Sequence, residues 1–171
     1  MKVEQGKSFA TDGHQAVAEA TQGWADEPEI IFVFASMKQD GQAVIDALRA
    51  RFGEVPIAGC TTAGEHLAGA HSNESLVAAA VYDSSMRWTT EVITDLKSFG
   101  EEDARGVTDA LFASLGVERE TLDASKYFSL LMIDGLSMAE ERVSAQLAEA
   151  LEGVPLAGGS AGDDLAFTET R

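Results

Sequence analysis

The same Gly-rich phrase occurs twice in the chain, and it constrains the fold more than any other feature. It reads VPIAGCTTAGE from Val55 to Glu65 and VPLAGGSAGDD from Val154 to Asp164. Each copy follows a nearly continuous apolar run and then a segment whose apolar residues recur at helical spacing. Apolar runs of this kind are typical of strands that are covered on both faces of a sheet. The sequence therefore predicts a strand–helix–strand unit that is present in two copies.

The remaining elements follow from turn and capping signals. The apolar runs are Ile30–Ala35 and Tyr127–Ile133, and a hairpin is expected from Ser75–Tyr82 and Arg87–Thr94. Four helices with the spacing of a capping box are expected to begin at Asp12, Ser36, Ser98 and Ser137. Glycines that suit a helix C-terminus follow at Gly53, Gly116 and Gly153. We therefore expect an α/β fold in which mixed sheets are flanked by helices.

The duplicated unit places its Gly-rich phrases where α/β proteins bind ligands. The strands of a right-handed unit run parallel, so their carboxyl ends share one edge of the sheet. The candidate ligand-binding residues at this edge are Ser36, Gly59, Cys60, Thr61, Thr62, Gly64, Glu65, Asp134, Gly158, Gly159, Ser160, Gly162 and Asp163. Backbone N–H groups at the glycines suit a carboxylate, and the acidic side chains suit an ammonium group. The alternative is that both phrases are structural turns without a ligand.

Charge and cysteine content narrow the classes of function. The chain has 12 Lys and Arg residues against 29 Asp and Glu residues, a formal net charge of −17. This charge disfavours nucleic acids and anionic membrane surfaces as partners. The single cysteine, Cys60, excludes an internal disulfide and a zinc site built from cysteines. Because neither a signal-peptide core nor an apolar run of membrane-spanning length is present, we expect a cytoplasmic protein without membrane insertion.

Nucleophilic and metal-binding side chains are few. Cys60 and His66 could form a Cys–His nucleophile, but neither an orienting group nor an oxyanion hole can be located. His66 and His71 could ligate a metal or haem iron, yet their separation does not match the i, i+4 pair of a helical zinc site. We therefore expect no catalytic residue and no resident metal, and the protein is predicted not to be an enzyme.

Three motifs in a fixed order resemble a known family. GCTTAGE follows a hydrophobic strand, IDGLSMAEE comes later, and GGSAGDD follows that. In order and spacing they resemble the N-terminal FIST sensory domain over about residues 28–171. The resemblance implies a single sensory domain over residues 1–171, without the C-terminal FIST region into which family members continue. The chain is therefore expected to be a fragment of a longer protein.

The same resemblance implies a function. Members are intracellular signal-input domains that bind small ligands such as amino acids and relay to a signalling partner such as a histidine kinase. Some members resemble haem-based nitric-oxide sensors, which is the alternative here, with His66 and His71 as weak candidates for a haem ligand. A Cys-dependent hydrolase is the third interpretation. No cofactor is expected for the leading interpretation, a signal-input domain that binds a small ligand.

Overall fold

The protein is described over all of residues 1–171 by a computed structural model, and its backbone divides into two compact units. Unit 1 comprises residues 1–88 and 161–171, and unit 2 comprises residues 89–160. The predicted α/β fold, with a mixed sheet and flanking helices, is confirmed. No helix combines the length and the apolar composition that crossing a membrane requires.

Unit 1 is built on a mixed sheet. Its strands are β1 (Lys2–Ser8), β2 (Ile30–Ala35), β3 (Ile57–Thr61), β4 (Glu65–Leu67), β5 (Ala70–Ser72) and β6 (Leu76–Tyr82). Four of them form one sheet in the order β1-β6-β2-β3, while β4 and β5 form a separate antiparallel pair. β2 and β3 are parallel, as predicted, and β6 is antiparallel to both β1 and β2. The carboxyl ends of β2 and β3 therefore lie side by side.

Two helices cover one face of this sheet. They are α1 (Gly13–Ala20) and α2 (Gly41–Phe52). Asp12 caps α1 as predicted, since its side chain accepts a hydrogen bond from the Gln15 N–H at 2.8 Å. Side chains of both helices and of two strands share one core, which includes Val17, Ile31, Val44, Leu48, Leu76 and Ala78.

Two expectations for unit 1 are wrong. Helix α2 is capped by Asp40 rather than Ser36, because the Asp40 side chain accepts the N–H groups of Gln42 and Ala43 at the start of the helix. Ser36 lies before this turn, and its hydroxyl donates to Asp164. A hairpin between residues 75–82 and 87–94 was expected, but residues 87–94 form no strand. Strand β6 pairs with β1 instead. The apolar and β-branched residues of 87–94 suit a strand, but strand propensity depends on a neighbouring strand to pair with.

Unit 2 contains the second strand–helix–strand segment. Its elements are α3 (Glu101–Leu115), two single 3₁₀ turns (Arg119–Thr121 and Ala124–Lys126), β7 (Ser129–Asp134), α4 (Glu140–Ala150) and β8 (Leu156–Ala161), whose last residue belongs to unit 1. Helix α3 begins after Gly100 rather than Ser98, and α4 begins after Ala139 rather than Ser137. Gly116 ends α3 in the left-handed conformation, as predicted. β7 and β8 form a two-stranded sheet whose inner face packs against α4.

Each of the two strand–helix–strand segments has a hydrogen bond at the same position. The Ile31 N–H donates to the carbonyl of Pro56 at 2.9 Å, and the Ser129 N–H donates to the carbonyl of Pro155 at 2.8 Å. Each proline precedes the second strand of its segment. These matched bonds are what a duplicated unit would produce, and the duplication itself stays a prediction.

Candidate functional site

The candidate ligand-binding residues fall into two groups, one in each unit. Those in unit 1 are Ser36, Gly59, Cys60, Thr61, Thr62, Gly64, Glu65, Gly162 and Asp163. Those in unit 2 are Asp134, Gly158, Gly159 and Ser160. The two groups differ in what surrounds them. The first is bonded within its own unit, whereas three residues of the second, Gly158, Gly159 and Ser160, border a groove.

A groove of about 360 Å³ lies in unit 2 beside strand β8. The strand side is formed by Leu156, Ala157, Gly158, Gly159 and Ser160, and the remaining lining residues are Leu131, Ile133, Glu140, Glu141 and Ser144. The groove thus combines aliphatic side chains, a glycine-containing backbone wall and two carboxylates. Pockets with volumes of roughly 300–1,000 Å³ that are mainly apolar with a few convergent polar groups are typical of small-molecule sites.

The carboxylates come from the first turn of α4. Glu140 is half-buried and Glu141 is exposed, and the Ser160 hydroxyl donates to Glu140 Oε1 at 3.4 Å. Negative side chains are favoured at this end of a helix, because they face the unpaired N–H groups and the positive end of the helix dipole. Neither glutamate is among the candidate ligand-binding residues that the sequence predicts. Their place in the groove follows from the packing of α4 beside β8.

The two adjacent glycines of β8 have different surroundings. A Cβ on Gly158 would lie 2.0 Å from the carbonyl oxygen of Leu131, so only glycine fits there. A Cβ on Gly159 would meet no atom within 4 Å. Gly158 therefore permits close strand pairing, whereas Gly159 leaves open space beside the backbone. Asp134, the fourth predicted residue of unit 2, is exposed and does not line the groove.

In unit 1 the carboxyl end of β2 is bonded to the C-terminal segment. Ser36 is buried, and its hydroxyl donates to Asp164 Oδ2 at 2.6 Å. The Met37 N–H donates to the same oxygen at 3.0 Å. Ser36, a predicted ligand residue, is therefore already bonded to a carboxylate of the protein itself.

Asp163 is also hydrogen-bonded within the protein. It is buried, and Oδ1 accepts the Phe167 N–H at 2.9 Å, while Oδ2 accepts the N–H groups of Thr168 at 2.6 Å and Glu169 at 3.1 Å. The Thr168 N–H, followed by those of Phe167 and Glu169, holds the pKa of Asp163 below its ordinary value. These bonds give Asp163 a structural role in ordering residues 164–169, and its role as a ligand residue stays a prediction.

Glu65 is likewise buried and bonded within unit 1. Its Oε1 accepts the Thr62 hydroxyl at 2.5 Å, and its Oε2 accepts the Ser75 N–H at 3.1 Å. The Ser75 hydroxyl also donates to Oε2, and it lies 2.9 Å from the Ser72 hydroxyl. This carboxylate therefore joins the residues after β3 to the start of β6.

Backbone groups at the end of β3 also have partners. The Thr61 N–H donates to the carbonyl of Arg171 at 2.8 Å, and the Gly162 N–H donates to the carbonyl of Thr61 at 2.9 Å. The Thr62 N–H donates to the carbonyl of Ala35 at 3.0 Å. Gly59 permits a close approach, since its Cβ would lie 1.9 Å from the Val33 carbonyl oxygen. The first Gly-rich phrase is therefore held mainly by bonds within unit 1.

Cys60 lies on β3 and is half-buried. Burial raises the pKa of its thiol, which lowers the fraction present as thiolate at neutral pH. The thiolate is the nucleophilic form, and reactive cysteines have a lowered pKa. The surroundings of Cys60 therefore do not activate it.

The two candidate haem ligands lie together on a hairpin. His66 on β4 stands opposite His71 on β5, both side chains are exposed, and their ring centroids are 4.7 Å apart. A haem ligand must reach the iron from the wall of a pocket that holds the macrocycle. The groove of unit 2 is lined by neither His nor Cys. These residues do not fit haem.

Comparison with known proteins gives one finding. The family model described as FIST N domain matches residues 29–171, which include both Gly-rich phrases and every residue of the groove. No curated protein and no solved structure matches the chain.

Proposed function

Because the chain belongs to the FIST N domain family, whose members are sensory domains, we propose that it is a cytoplasmic signal-input domain that binds a small ligand carrying an ammonium group, such as an amino acid. The observation that carries this proposal is the groove of unit 2. It is bordered by the glycine-containing strand β8 and by Glu140 and Glu141 at the start of α4.

The two sides of the groove suit the two ends of an amino acid. Glu140 and Glu141 would bind the ammonium group, while backbone N–H groups near Gly159 would donate to the carboxylate. The apolar side chains of Leu131, Ile133 and Leu156 leave room for an aliphatic side chain. A purely anionic ligand would be repelled by the two glutamates, so a zwitterion or a cation is preferred.

The signal would leave the groove through α4. A ligand that bonds to Glu140 and Glu141 fixes the first turn of this helix. Its other end closes with Leu151, which packs with Phe112 and Val154. The partner that senses this change is proposed, from the family, to be a signalling protein such as a histidine kinase. Binding moves α4 only if the ligand binds more tightly to one position of the helix than to another.

The proposal is tested by a thermal-shift screen of the twenty amino acids on the whole chain, followed by calorimetry. A ligand that binds only the folded protein raises the melting temperature. A hydrogen bond to a charged group is worth about 1.5–3 kcal/mol. Glu140→Gln and Glu141→Gln should therefore each weaken binding by about tenfold to a hundredfold. Glu149→Gln, on the same helix but outside the groove, is the matched control and should bind as the parent chain does.

A second pair of variants tests the place of the site. Gly159→Val adds a side chain at a lining residue that has no atom within 4 Å of its Cβ position, and it should weaken binding. Gly106→Val, at an exposed glycine of α3 that also has no atom near its Cβ position, should leave affinity unchanged. If no amino acid stabilises the chain, or if Gly159→Val binds normally, the proposal is wrong. An absorption spectrum is recorded alongside, after incubation with haem and removal of unbound haem, and a Soret band that stays with the protein would favour the haem alternative.

A further inference from the structure

The hairpin formed by β4 and β5 brings two imidazole rings together outside the groove. Its register pairs Glu65 with Ser72, His66 with His71 and Leu67 with Ala70. Ala68 and Gly69 form the connection, with φ of 51° and 80°. Directly opposed residues of an antiparallel pair lie on the same face of the hairpin. The separation of five positions, which is uninformative on a helix, therefore places both histidines side by side.

The facing ring nitrogens have the spacing of two ligands of one metal ion. His66 Nε2 lies 3.3 Å from His71 Nδ1. Two imidazole nitrogens that bind zinc at about 2.0–2.1 Å in a tetrahedral shell lie about 3.4 Å apart. We infer that His66 and His71 form a two-imidazole site for a divalent transition-metal ion such as Zn²⁺, Ni²⁺ or Cu²⁺. This inference is independent of the proposed function, because it concerns different residues in the other unit.

Gly64 makes room for the His71 ring. Its backbone has φ of 146°, and a Cβ there would lie 2.5 Å from His71 Cε1 and 3.3 Å from His71 Nε2. The same point is 3.1 Å from the Asn73 side-chain oxygen, so a side chain at position 64 would have to displace His71 or Asn73. Glycine at position 64 therefore lets the His71 ring lie beside His66.

The composition of the site predicts its selectivity. No group of three or more His, Cys, Asp or Glu side chains is gathered to hold a metal, so the protein supplies two ligands and water would supply the rest. Imidazole ligands suit Cu²⁺, Ni²⁺ and Zn²⁺, and the general order of affinity places Cu²⁺ first. Mg²⁺ and Ca²⁺ require oxygen ligands and should not compete. The net charge of −17 attracts any cation to the surface, so substitution of the histidines is needed to identify the site.

Calorimetric titration of the whole chain, without an affinity tag, with Cu²⁺, Ni²⁺ and Zn²⁺ in excess Mg²⁺ tests the inference. We expect one site, and we expect His66→Ala and His71→Ala each to weaken binding by at least tenfold. The matched control is His14→Ala, because His14 is the third histidine and is exposed on α1. Its affinity should stay within twofold of the parent chain.

A second measurement guards against a change in folding. Thermal unfolding of each variant without metal reports whether replacing a histidine of the hairpin alters the stability of the fold. Saturating Ni²⁺ should raise the melting temperature of the parent and of His14→Ala only. Equal affinity in the parent chain and in the His66→Ala/His71→Ala double variant would overturn the inference, and so would the absence of any binding. The pair would then be only a hydrogen-bonded pair of imidazoles.

Discussion

The acidic residues of the Gly-rich phrases and those of α4 have different surroundings in the structure. The side chains of Asp163 and Glu65 are buried, with exposures of 3% and 2%, and both accept hydrogen bonds from residues of unit 1. Glu140 and Glu141 border a groove and retain free acceptor capacity. A buried carboxylate that already accepts several N–H groups has little capacity for a ligand. At the scale of single residues, the candidate ligand contacts are therefore the glutamates of α4.

Asp163→Asn should lower the melting temperature at neutral pH, because an amide cannot accept from three backbone N–H groups with both of its terminal atoms. The folded-state pKa of Asp163 is lowered from 3.8. Its contribution to stability is therefore present above the unfolded-state pKa and is lost as the pH falls through the lower folded-state value.

Melting temperatures between neutral pH and the acid limit check this prediction. The difference between the parent and Asp163→Asn should narrow as the pH falls below about 3.8, the ordinary Asp value. Asp46→Asn, at an exposed position of α2, is the control and should show a small difference at every pH. A difference for Asp163→Asn that stays constant with pH would show that its carboxylate charge does not stabilise the fold.

Part of the candidate site could be predicted from the sequence. The Gly-rich phrases identified Gly158, Gly159 and Ser160 because glycine at a strand end is a local signal. The partners of Ser36 and Asp163 could not be predicted, since Ser36 bonds to a residue near the other end of the chain. Glu140 and Glu141 could not be predicted either, because the sequence does not show which strand α4 lies beside.

At the scale of elements, the pairing of β7 and β8 depends on one glycine. Gly158→Ala would bring a methyl group 2.0 Å from the backbone oxygen of Leu131, so the strands must separate. We expect a loss of about 2–3 kcal/mol in the free energy of unfolding, as for overpacked positions. Gly159→Ala is the matched control one residue away, and it should change this free energy by at most about 1 kcal/mol.

Urea unfolding followed by far-ultraviolet circular dichroism measures both variants. Equal stability of Gly158→Ala and Gly159→Ala would contradict the close approach of β8 to β7. A lower slope of the transition for Gly158→Ala would show that the variant exposes less surface on unfolding, because its sheet is already partly separated.

Elements with strong local signals were predicted, and those that depend on distant partners were not. The apolar run of β2 and the Asp12 cap of α1 are local, and both are confirmed. β1 has a polar sequence, KVEQGKS, and is a strand only because it pairs with β6. The β4–β5 hairpin has strands of three residues each, which is too short for a pattern of alternating polarity to identify.

At the scale of the whole molecule, the net charge of −17 should make stability depend on salt. Like charges repel one another in the compact state, and ions screen this repulsion. Raising NaCl from 10 mM to 500 mM shortens the Debye length from about 30 Å to about 4 Å. The melting temperature should therefore rise with NaCl. A fall would mean that the surface ion pairs, such as Lys2 with Glu4, outweigh the repulsion.

The return of residues 161–171 to unit 1 has a consequence for protein synthesis. Asp164 bonds to Ser36, and Arg171 bonds to Thr61, so unit 1 lacks these contacts until residues 161–171 have been synthesised. At about 5–20 residues per second, a ribosome needs about 4–15 s to make residues 89–160. During that time the Ser36 hydroxyl and the Thr61 N–H of the nascent unit 1 lack their partners. Unit 2, which is continuous in sequence, can fold first, and residues 161–171 then complete unit 1.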